Sequence, residues 1–195
     1  MNLPLKVTRK IGAALIGGAV LLAGYAYVSA SGAEKTPMPR PAPAFTHGAA
    51  ADWINSPPLT LADLRGHVVL LDVWTFDCWN CYRSIPWLKQ VEQRYRSQGL
   101  RLIGVHTPEF DHERVRSAVE RKVKEFGITH PVMLDNDYSY WRALENRYWP
   151  AYYLIDARGN LRARYVGEMH SGQRGARAVE AHIEELLREL ALPAG

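Results

Sequence analysis

Residues 67–81 have the sequence HVVLLDVWTFDCWNC, and this stretch determines the fold that we expect. Its first part, residues 67–73, is a nearly continuous apolar run rich in β-branched residues, which predicts a strand buried on both faces. Its last part carries the two cysteines of the chain as a C-x-x-C motif, Cys78 and Cys81. Apolar residues then recur at helical spacing over residues 84–98. The cysteine pair is therefore expected where a buried strand gives way to a helix.

Strands and helices alternate along the rest of the chain. Further strands are predicted at residues 100–106, 131–134, 152–156 and 161–166, and further helices at residues 111–126, 138–146 and 176–190. Turn-forming residues at 157–160 join the last two strands as a hairpin. The order β-α-β-α-β-α-β-β-α predicts an α/β domain with a central mixed sheet flanked by helices.

The composition excludes several classes of protein. The chain of 195 residues has a net charge of +4, and Lys6, Arg9 and Lys10 near the N-terminus supply three of its positive charges. The other 21 of the 24 basic residues nearly balance the 20 acidic ones, so the sequence predicts no basic face for nucleic acid. Two cysteines are also too few for a disulfide scaffold or for a zinc site built from four cysteines.

The three basic residues precede an uncharged, largely apolar run at residues 11–28. As a helix this run spans about 27 Å, close to the roughly 30 Å hydrocarbon core of a bilayer. We therefore predict that residues 1–30 form a signal-anchor or transmembrane segment whose N-terminus lies in the cytoplasm. The alternative is a signal peptide that is cleaved after Ala30, where small residues provide an acceptable site.

Either alternative exports the remainder of the chain. Residues 31–50 are rich in proline and alanine and are predicted to form a linker, and residues 51–195 are predicted to form the folded domain. The expected location is the bacterial inner membrane, with a single pass and the catalytic domain in the periplasm or extracytoplasmic space.

The position of the cysteine pair predicts redox chemistry. Free N–H groups and the partial positive charge at a helix N-terminus stabilise a thiolate, which makes Cys78 the expected nucleophile. Cys81 lies one turn along the helix and is placed to resolve a mixed disulfide. Two alternatives remain at this point. The pair is a structural disulfide closing a very small loop, or it contributes two ligands to a metal site.

Asp72 and an aromatic-rich segment are the other candidate site residues. Asp72 lies in the middle of an apolar run, where burial would raise its pKa and let it exchange a proton as Cys81 attacks. The alternative is an aspartate at a strand edge, bonded to a backbone amide. Trp79, between the cysteines, and Trp149, before Pro150, are candidates for a groove that binds a partner polypeptide, although most aromatic residues nearby are expected to pack in the core.

Four segments carry a family resemblance: LDVWTFDCWNC at residues 71–81, GVHTPEF at 104–110, LDNDY at 134–138 and WPAYYLID at 149–156. In this order they resemble the thioredoxin-like superfamily and its TlpA/ResA-like and redoxin (AhpC/TSA-type) branch. The likeness is particularly strong to the exported C-terminal thioredoxin-like domain of DipZ proteins.

This resemblance implies a thioredoxin-like fold in which Cys78 attacks and Cys81 resolves. It further implies that Asp72 is the buried acid and that Pro150 is a cis-proline that faces the disulfide and pairs with substrate backbone. Two positions depart from the family pattern. Trp79-Asn80 replaces the Gly-Pro of thioredoxin, and the bulky Trp149 precedes the proline, so the resemblance does not fix the direction of electron flow.

The sequence therefore predicts an exported, membrane-tethered thiol–disulfide oxidoreductase that reduces protein disulfides, without a cofactor or a resident metal, and draws electrons from a membrane donor of the Dsb/Ccd type. One alternative is a thiol peroxidase, because Thr75 matches part of the peroxiredoxin pattern, although Leu71 occupies the position of the required proline. The other alternative is a copper-handling module in which His170 or His106 supplies a further ligand.

Overall fold

The computed structural model describes residues 39–192. Its strands form one mixed sheet of seven strands in the order β1-β7-β6-β3-β4-β5-β2. Their bounds are β1 Arg40–Pro41, β2 Trp53–Ile54, β3 Val68–Trp74, β4 Leu100–His106, β5 Val132–Leu134, β6 Ala151–Ile155 and β7 Asn160–Val166. Strands β3, β4 and β5 are parallel to one another, whereas β6 runs antiparallel to both β3 and β7. The predicted mixed sheet is confirmed.

Within residues 39–192, four α-helices pack on this sheet: α1 Trp79–Tyr95, α2 Arg116–Glu125, α3 Ser139–Ala143 and α4 Arg174–Ala191. Helix α1 begins five residues earlier than predicted, because Cys78 takes the N-cap position. The single helix predicted for residues 111–126 is wrong in its first turn. Asp111–Arg114 form a separate 3₁₀ turn, and Val115 is extended between that turn and α2.

The apolar run of β3 is buried on both faces, as predicted, because helices and loops cover both sides of the sheet. Val68 and Leu70 point to the face where they pack with residues of α1 and α4. Val69 and Leu71 point to the opposite face, where they pack with Tyr140 of α3 and with residues before β3. Because side chains alternate along a strand, Asp72 and Trp74 share the α1 face with Leu70.

The linker prediction was wrong from residue 40 onward, because this part of the chain packs on the domain. Strand β1 adds to the open edge of β7, where Arg40 is paired with Leu161. Ala42 is buried, and the ring of Phe45 contacts Trp53 and Tyr140 with centroid distances of 5.5 and 5.2 Å. These contacts bury apolar groups that a solvated linker would leave exposed.

The predicted N-terminal membrane segment, residues 1–30, and the beginning of the predicted linker lie outside the described residues. From residue 39 to residue 192, no helix combines the length and the apolar character needed to cross a bilayer.

Candidate active site

Cys78 and Cys81 form a disulfide at the N-terminus of α1, with their Cα atoms 5.2 Å apart. Cys78 is the N-cap residue of the helix, and its sulfur accepts a hydrogen bond of 3.2 Å from the backbone N–H of Cys81. The two sulfur-bearing residues differ in exposure: Cys78 is partly exposed, whereas Cys81 is only 3% exposed. A partner in solution therefore reaches Cys78 first, and the N–H group that faces its sulfur stabilises a thiolate there.

The segment before Cys78 is held by a buried carboxylate that the sequence analysis did not identify. Glu113, in the 3₁₀ turn after β4, is fully buried. Its Oε1 accepts hydrogen bonds from the Thr75 hydroxyl and from the backbone N–H of Asp77, the latter at 3.0 Å. Its Oε2 accepts from the backbone N–H groups of Glu109 and Phe110 at 2.6 and 2.7 Å. Four donors thus satisfy the carboxylate, as burial of a charge requires.

An exposed hydrogen bond joins the same two segments. Nε2 of His112 lies 2.5 Å from Oδ2 of Asp77, the residue that immediately precedes Cys78. The ring of His112 also contacts Phe76 on one side and stacks on Phe110 on the other. The turn that carries Glu113 is therefore attached to the segment before Cys78 at two places, by the buried Glu113 carboxylate and by His112 at the surface.

Asp72 lies within the sheet beneath α1. It is 4% exposed, and its Oδ1 has no hydrogen-bond partner among the described residues. Burial raises the pKa of Asp72 to about 8. Its register partners are Gly104 on β4 and Tyr152 on β6. Asp72 is therefore a buried aspartate and not one at a strand edge that is bonded to a backbone amide. Its raised pKa keeps it largely protonated at neutral pH.

The Trp149–Pro150 peptide bond is cis and lies at the same end of the sheet as the disulfide. Because Ala151 pairs with Val73, the buried Pro150 stands level with the last residue of β3. The indole of Trp149 donates a hydrogen bond of 3.0 Å to the carbonyl oxygen of Thr107 and packs on Trp141 at a centroid distance of 4.2 Å. Trp149 therefore packs partly in the core and remains partly exposed.

Several aromatic side chains of helix α1 and of the loops after β4 and before β6 are exposed. Trp79 is 65% exposed and stacks on Tyr82 at a centroid distance of 5.5 Å. Phe110 and Tyr148 are about half exposed in the loops that follow β4 and precede β6. Trp79 was a predicted candidate for substrate binding, whereas Phe110 and Tyr148 were not. The GVHTPEF segment, which contains Phe110, was the available signal.

The residues behind the two alternative functions have other roles in the structure. The Thr75 hydroxyl is bonded to Glu113 and lies 3.3 Å from Nε2 of the buried His106. Burial lowers the pKa of His106 to about 4, and His170 is paired with Glu168. Among residues 39–192, only His47, Asp135 and Asp137 bring three metal-binding atoms close together, and neither cysteine belongs to that group. None of these observations favours a peroxidase or a copper site.

Comparisons with known proteins agree with this geometry. The family model described as Redoxin matches residues 40–181. DipZ of Mycobacterium tuberculosis is 47% identical over 119 residues, which cover 60% of this chain but only 17% of DipZ. The thiol-disulfide oxidoreductase YkuV of Bacillus subtilis is 28% identical over 138 residues, which cover 70% of this chain and 88% of YkuV.

Solved structures show the same fold. A thioredoxin-like protein studied in its oxidized form has a TM-score of 0.64 and 28% identity, covering 77% of this chain and 97% of that protein. A thiol:disulfide interchange protein of the thioredoxin family from Chlorobium tepidum has a TM-score of 0.62 over 77% of this chain and 97% of its own. At 24% identity this second likeness shows the fold alone.

Proposed function

The chain belongs to the redoxin family of thioredoxin-fold proteins, and we propose on this basis that it is a thiol–disulfide oxidoreductase that reduces disulfide bonds of other proteins. The observation that carries the proposal is the asymmetric cysteine pair. Cys78 is partly exposed at the N-cap of α1, and Cys81 is buried one turn further along the helix. A purely structural disulfide does not need one exposed and one buried cysteine. A two-step exchange does, because the first thiol must be accessible to the substrate and the second must stay shielded until the mixed disulfide has formed.

The reaction proceeds by two exchanges. The Cys78 thiolate attacks one sulfur of the substrate disulfide, so that a mixed disulfide forms and the other substrate sulfur leaves as a thiolate. Cys81 then loses its proton and attacks the Cys78 sulfur, which releases the second substrate sulfur and leaves the Cys78–Cys81 disulfide. Two electrons pass from the protein to the substrate, and each released thiolate takes up a proton from solvent.

Asp72 is the proposed proton acceptor for Cys81. Both residues lie on the α1 side of the sheet, and Trp74, on the same strand face as Asp72, packs in the cluster that contains Cys81. Because a pKa of about 8 leaves a fraction of Asp72 ionised at neutral pH, this carboxylate form accepts the Cys81 proton and can return it later in the cycle.

Substrate binding is assigned to the surface around the disulfide. Trp79 offers an exposed aromatic ring beside the attacking sulfur, and the cis Trp149–Pro150 bond places backbone close to the end of β3. Trp149 itself contributes its remaining exposed side. An extended, partly apolar polypeptide that contains a disulfide fits such a surface, because aromatic rings bind apolar side chains.

The remaining parts of the proposal concern location. We assign the domain to the extracytoplasmic side of a bacterial inner membrane, tethered by residues 1–30, because basic residues precede an apolar run there. A pair that is oxidised in every cycle needs a source of electrons, so a membrane donor of the Dsb/Ccd type is the proposed supply. Cleavage after Ala30 would instead release the same domain as a soluble exported protein.

Trapping the mixed disulfide tests the assignment. The Cys81→Ser variant, reduced and mixed with insulin, is expected to accumulate a covalent complex whose link maps to Cys78 by mass spectrometry. The Cys78→Ser variant is the matched control, and it is expected to form no complex and to lose insulin turnover. Full turnover by Cys78→Ser would rule out the assignment.

A further inference from the structure

Three buried polar atoms without hydrogen-bond partners in the described part of the chain belong to residues that adjoin Gly104. They are Oδ1 of Asp72, Nε1 of Trp74 and Nε2 of His130. An ideal Cβ on Gly104 would lie 3.1 Å from Trp74 Nε1 and 3.5 Å from His130 Nε2. Buried polar atoms are rarely left unsatisfied, so three of them in residues that adjoin one glycine call for an explanation.

The sheet places Asp72 next to the same glycine. Asp72 and Gly104 are register partners on the parallel strands β3 and β4, so side chains at these two positions share a face. The Trp74 indole, two residues further along β3, reaches back over Gly104 on that face. Because Gly104 has no side chain, its position on β4 leaves room between Asp72 on β3 and His130, and Cγ2 of Val132 borders the same point at 3.1 Å.

His130 connects this buried position to the outside of the domain. Its other ring nitrogen, Nδ1, lies 3.4 Å from Oε2 of Glu92 on α1. His130 has a 5% exposed side chain, whereas the side chain of Glu92 is 15% exposed and also lies 3.9 Å from Arg96. The hydrogen bond from His130 lowers the pKa of Glu92, so Glu92 is present as a carboxylate at neutral pH.

We propose that His130 and Glu92 form the route by which Asp72 exchanges protons with solvent. This inference rests on the proposed function of Asp72 as the proton acceptor for Cys81. The imidazole takes a proton on Nε2, the nitrogen on the Gly104 side, and releases one from Nδ1 to Glu92, which passes it to water. Asp72 is thereby returned to its carboxylate form, and the same route run backwards supplies a proton when the disulfide is reduced again.

The neighbours of both groups are consistent with this route. Asp72 faces Tyr152 on β6 and the cluster containing Cys81 beneath α1, and neither offers an ionised partner at neutral pH. Burial raises the pKa of Tyr152 well above its ordinary value. His130 faces Trp74 and Glu92, and Arg96 is the nearest cation to Glu92. Among these groups, His130 is the one that combines a buried nitrogen beside Gly104 with a hydrogen bond to a partly exposed acid.

Reaction of the reduced protein with Ellman's reagent in a stopped-flow instrument separates the two exchanges. The first equivalent of released thionitrobenzoate reports attack by Cys78, and the second reports attack by Cys81 on the mixed disulfide. We expect His130→Phe to slow the second phase about tenfold at pH 7 and to leave the first phase unchanged, since acid–base groups contribute at least this much to such steps. Glu92→Gln, which is less prone to misfold, is expected to slow the same phase.

Two further variants make the test specific. The double variant Asp72→Asn/His130→Phe is expected to be no slower than Asp72→Asn alone, because both changes interrupt one route. His182→Phe is the matched control, since His182 is a buried histidine that contacts Tyr165 instead, and its second phase should be unchanged.

The outcomes distinguish this inference from the proposed function. If Asp72→Asn slows the second phase but His130→Phe and Glu92→Gln do not, or if the two effects multiply in the double variant, the route through His130 is wrong. If Asp72→Asn leaves the second phase unchanged, the role of Asp72 itself is wrong, and the inference fails with it.

Discussion

Glu113 accepts a hydrogen bond of 3.0 Å from the backbone N–H of Asp77, the residue immediately before Cys78. The two residues are 36 positions apart in the chain, and the contact joins the turn after β4 to the segment that leads into α1. The geometry at Cys78 therefore depends on a carboxylate whose own hydrogen bonds go to other residues.

We expect Glu113→Gln to destabilise the protein by about 1–3 kcal/mol, because its amide group would oppose backbone N–H donors that now face an oxygen. The second-order rate constant for alkylation of Cys78 should change as well, since the backbone before it is no longer held. Urea unfolding and iodoacetamide alkylation of the reduced protein measure the two effects. Glu109→Gln, an exposed neighbouring carboxylate, is the control, and an equal effect there would contradict the role of Glu113.

The burial of Asp72 predicts a pH-dependent stability. Burial raises its pKa from 3.8 to about 8, so between these pH values the folded state holds a proton that the unfolded chain releases. The contribution of protonated Asp72 to the free energy of unfolding is thus fully present below about pH 4 and is lost as the pH rises toward 8.

Asp72→Asn removes this loss, because an amide does not ionise. At pH 7 the variant is expected to be more stable than the parent protein by about 4 kcal/mol, since each pKa unit corresponds to about 1.4 kcal/mol, and the difference should shrink toward pH 4. Urea unfolding of the oxidised proteins across this pH range measures it. A pH-independent gain for Asp72→Asn would contradict the prediction.

Trp79 is expected to act in substrate binding and not in folding. Trp79→Ala should raise the KM for insulin reduction about fivefold, equivalent to about 1 kcal/mol of binding free energy. The free energy of unfolding should change by less than about 0.5 kcal/mol, because the ring is 65% exposed. Leu192→Ala removes a similarly exposed apolar side chain beyond the C-terminal end of α4, and a KM change of equal size there would show that the effect is not local.

The packed N-terminal segment predicts where the domain can be shortened. A chain that starts at residue 39 should keep the stability of the folded domain, whereas one that starts at residue 51 loses β1, the burial of Ala42 and the contacts of Phe45. We expect the shorter chain to be less stable by about 2 kcal/mol and its Tm to fall by about 5 °C. Equal melting temperatures in a calorimeter would show that the segment is dispensable.

The central strands of the fold were predictable, because their signal is local. The continuous apolar run of β3 results from helices and loops on both faces, and the residues of β4 were predicted without error. Strands β1 and β2 were missed because each has only two residues and is defined by pairing with β7 or β5. A two-residue strand is too short to show the alternation of apolar and polar residues that predicts a strand.

The candidate site likewise contains residues that the sequence predicts and residues that it does not. The C-x-x-C spacing, the acid within an apolar run and the tryptophan–proline pair are visible in the sequence, and the structure places them at or beneath the disulfide end of the sheet. Glu113 was missed because an acid in a predicted amphipathic helix is expected to face solvent. It is buried only because residues 75–77 fold over it, and His130 likewise acquires its surroundings from β3 and α1.

The claim that this protein reduces disulfides is tested most directly by the reduction potential of the Cys78–Cys81 pair, equilibrated against defined thiol buffers. A value of about −250 mV or lower, in the range of thioredoxin, is the predicted result and fits a reductant that draws on a membrane electron donor. A value near about −120 mV, as in strong oxidants, would contradict the account, because the protein would then donate disulfides to its partners.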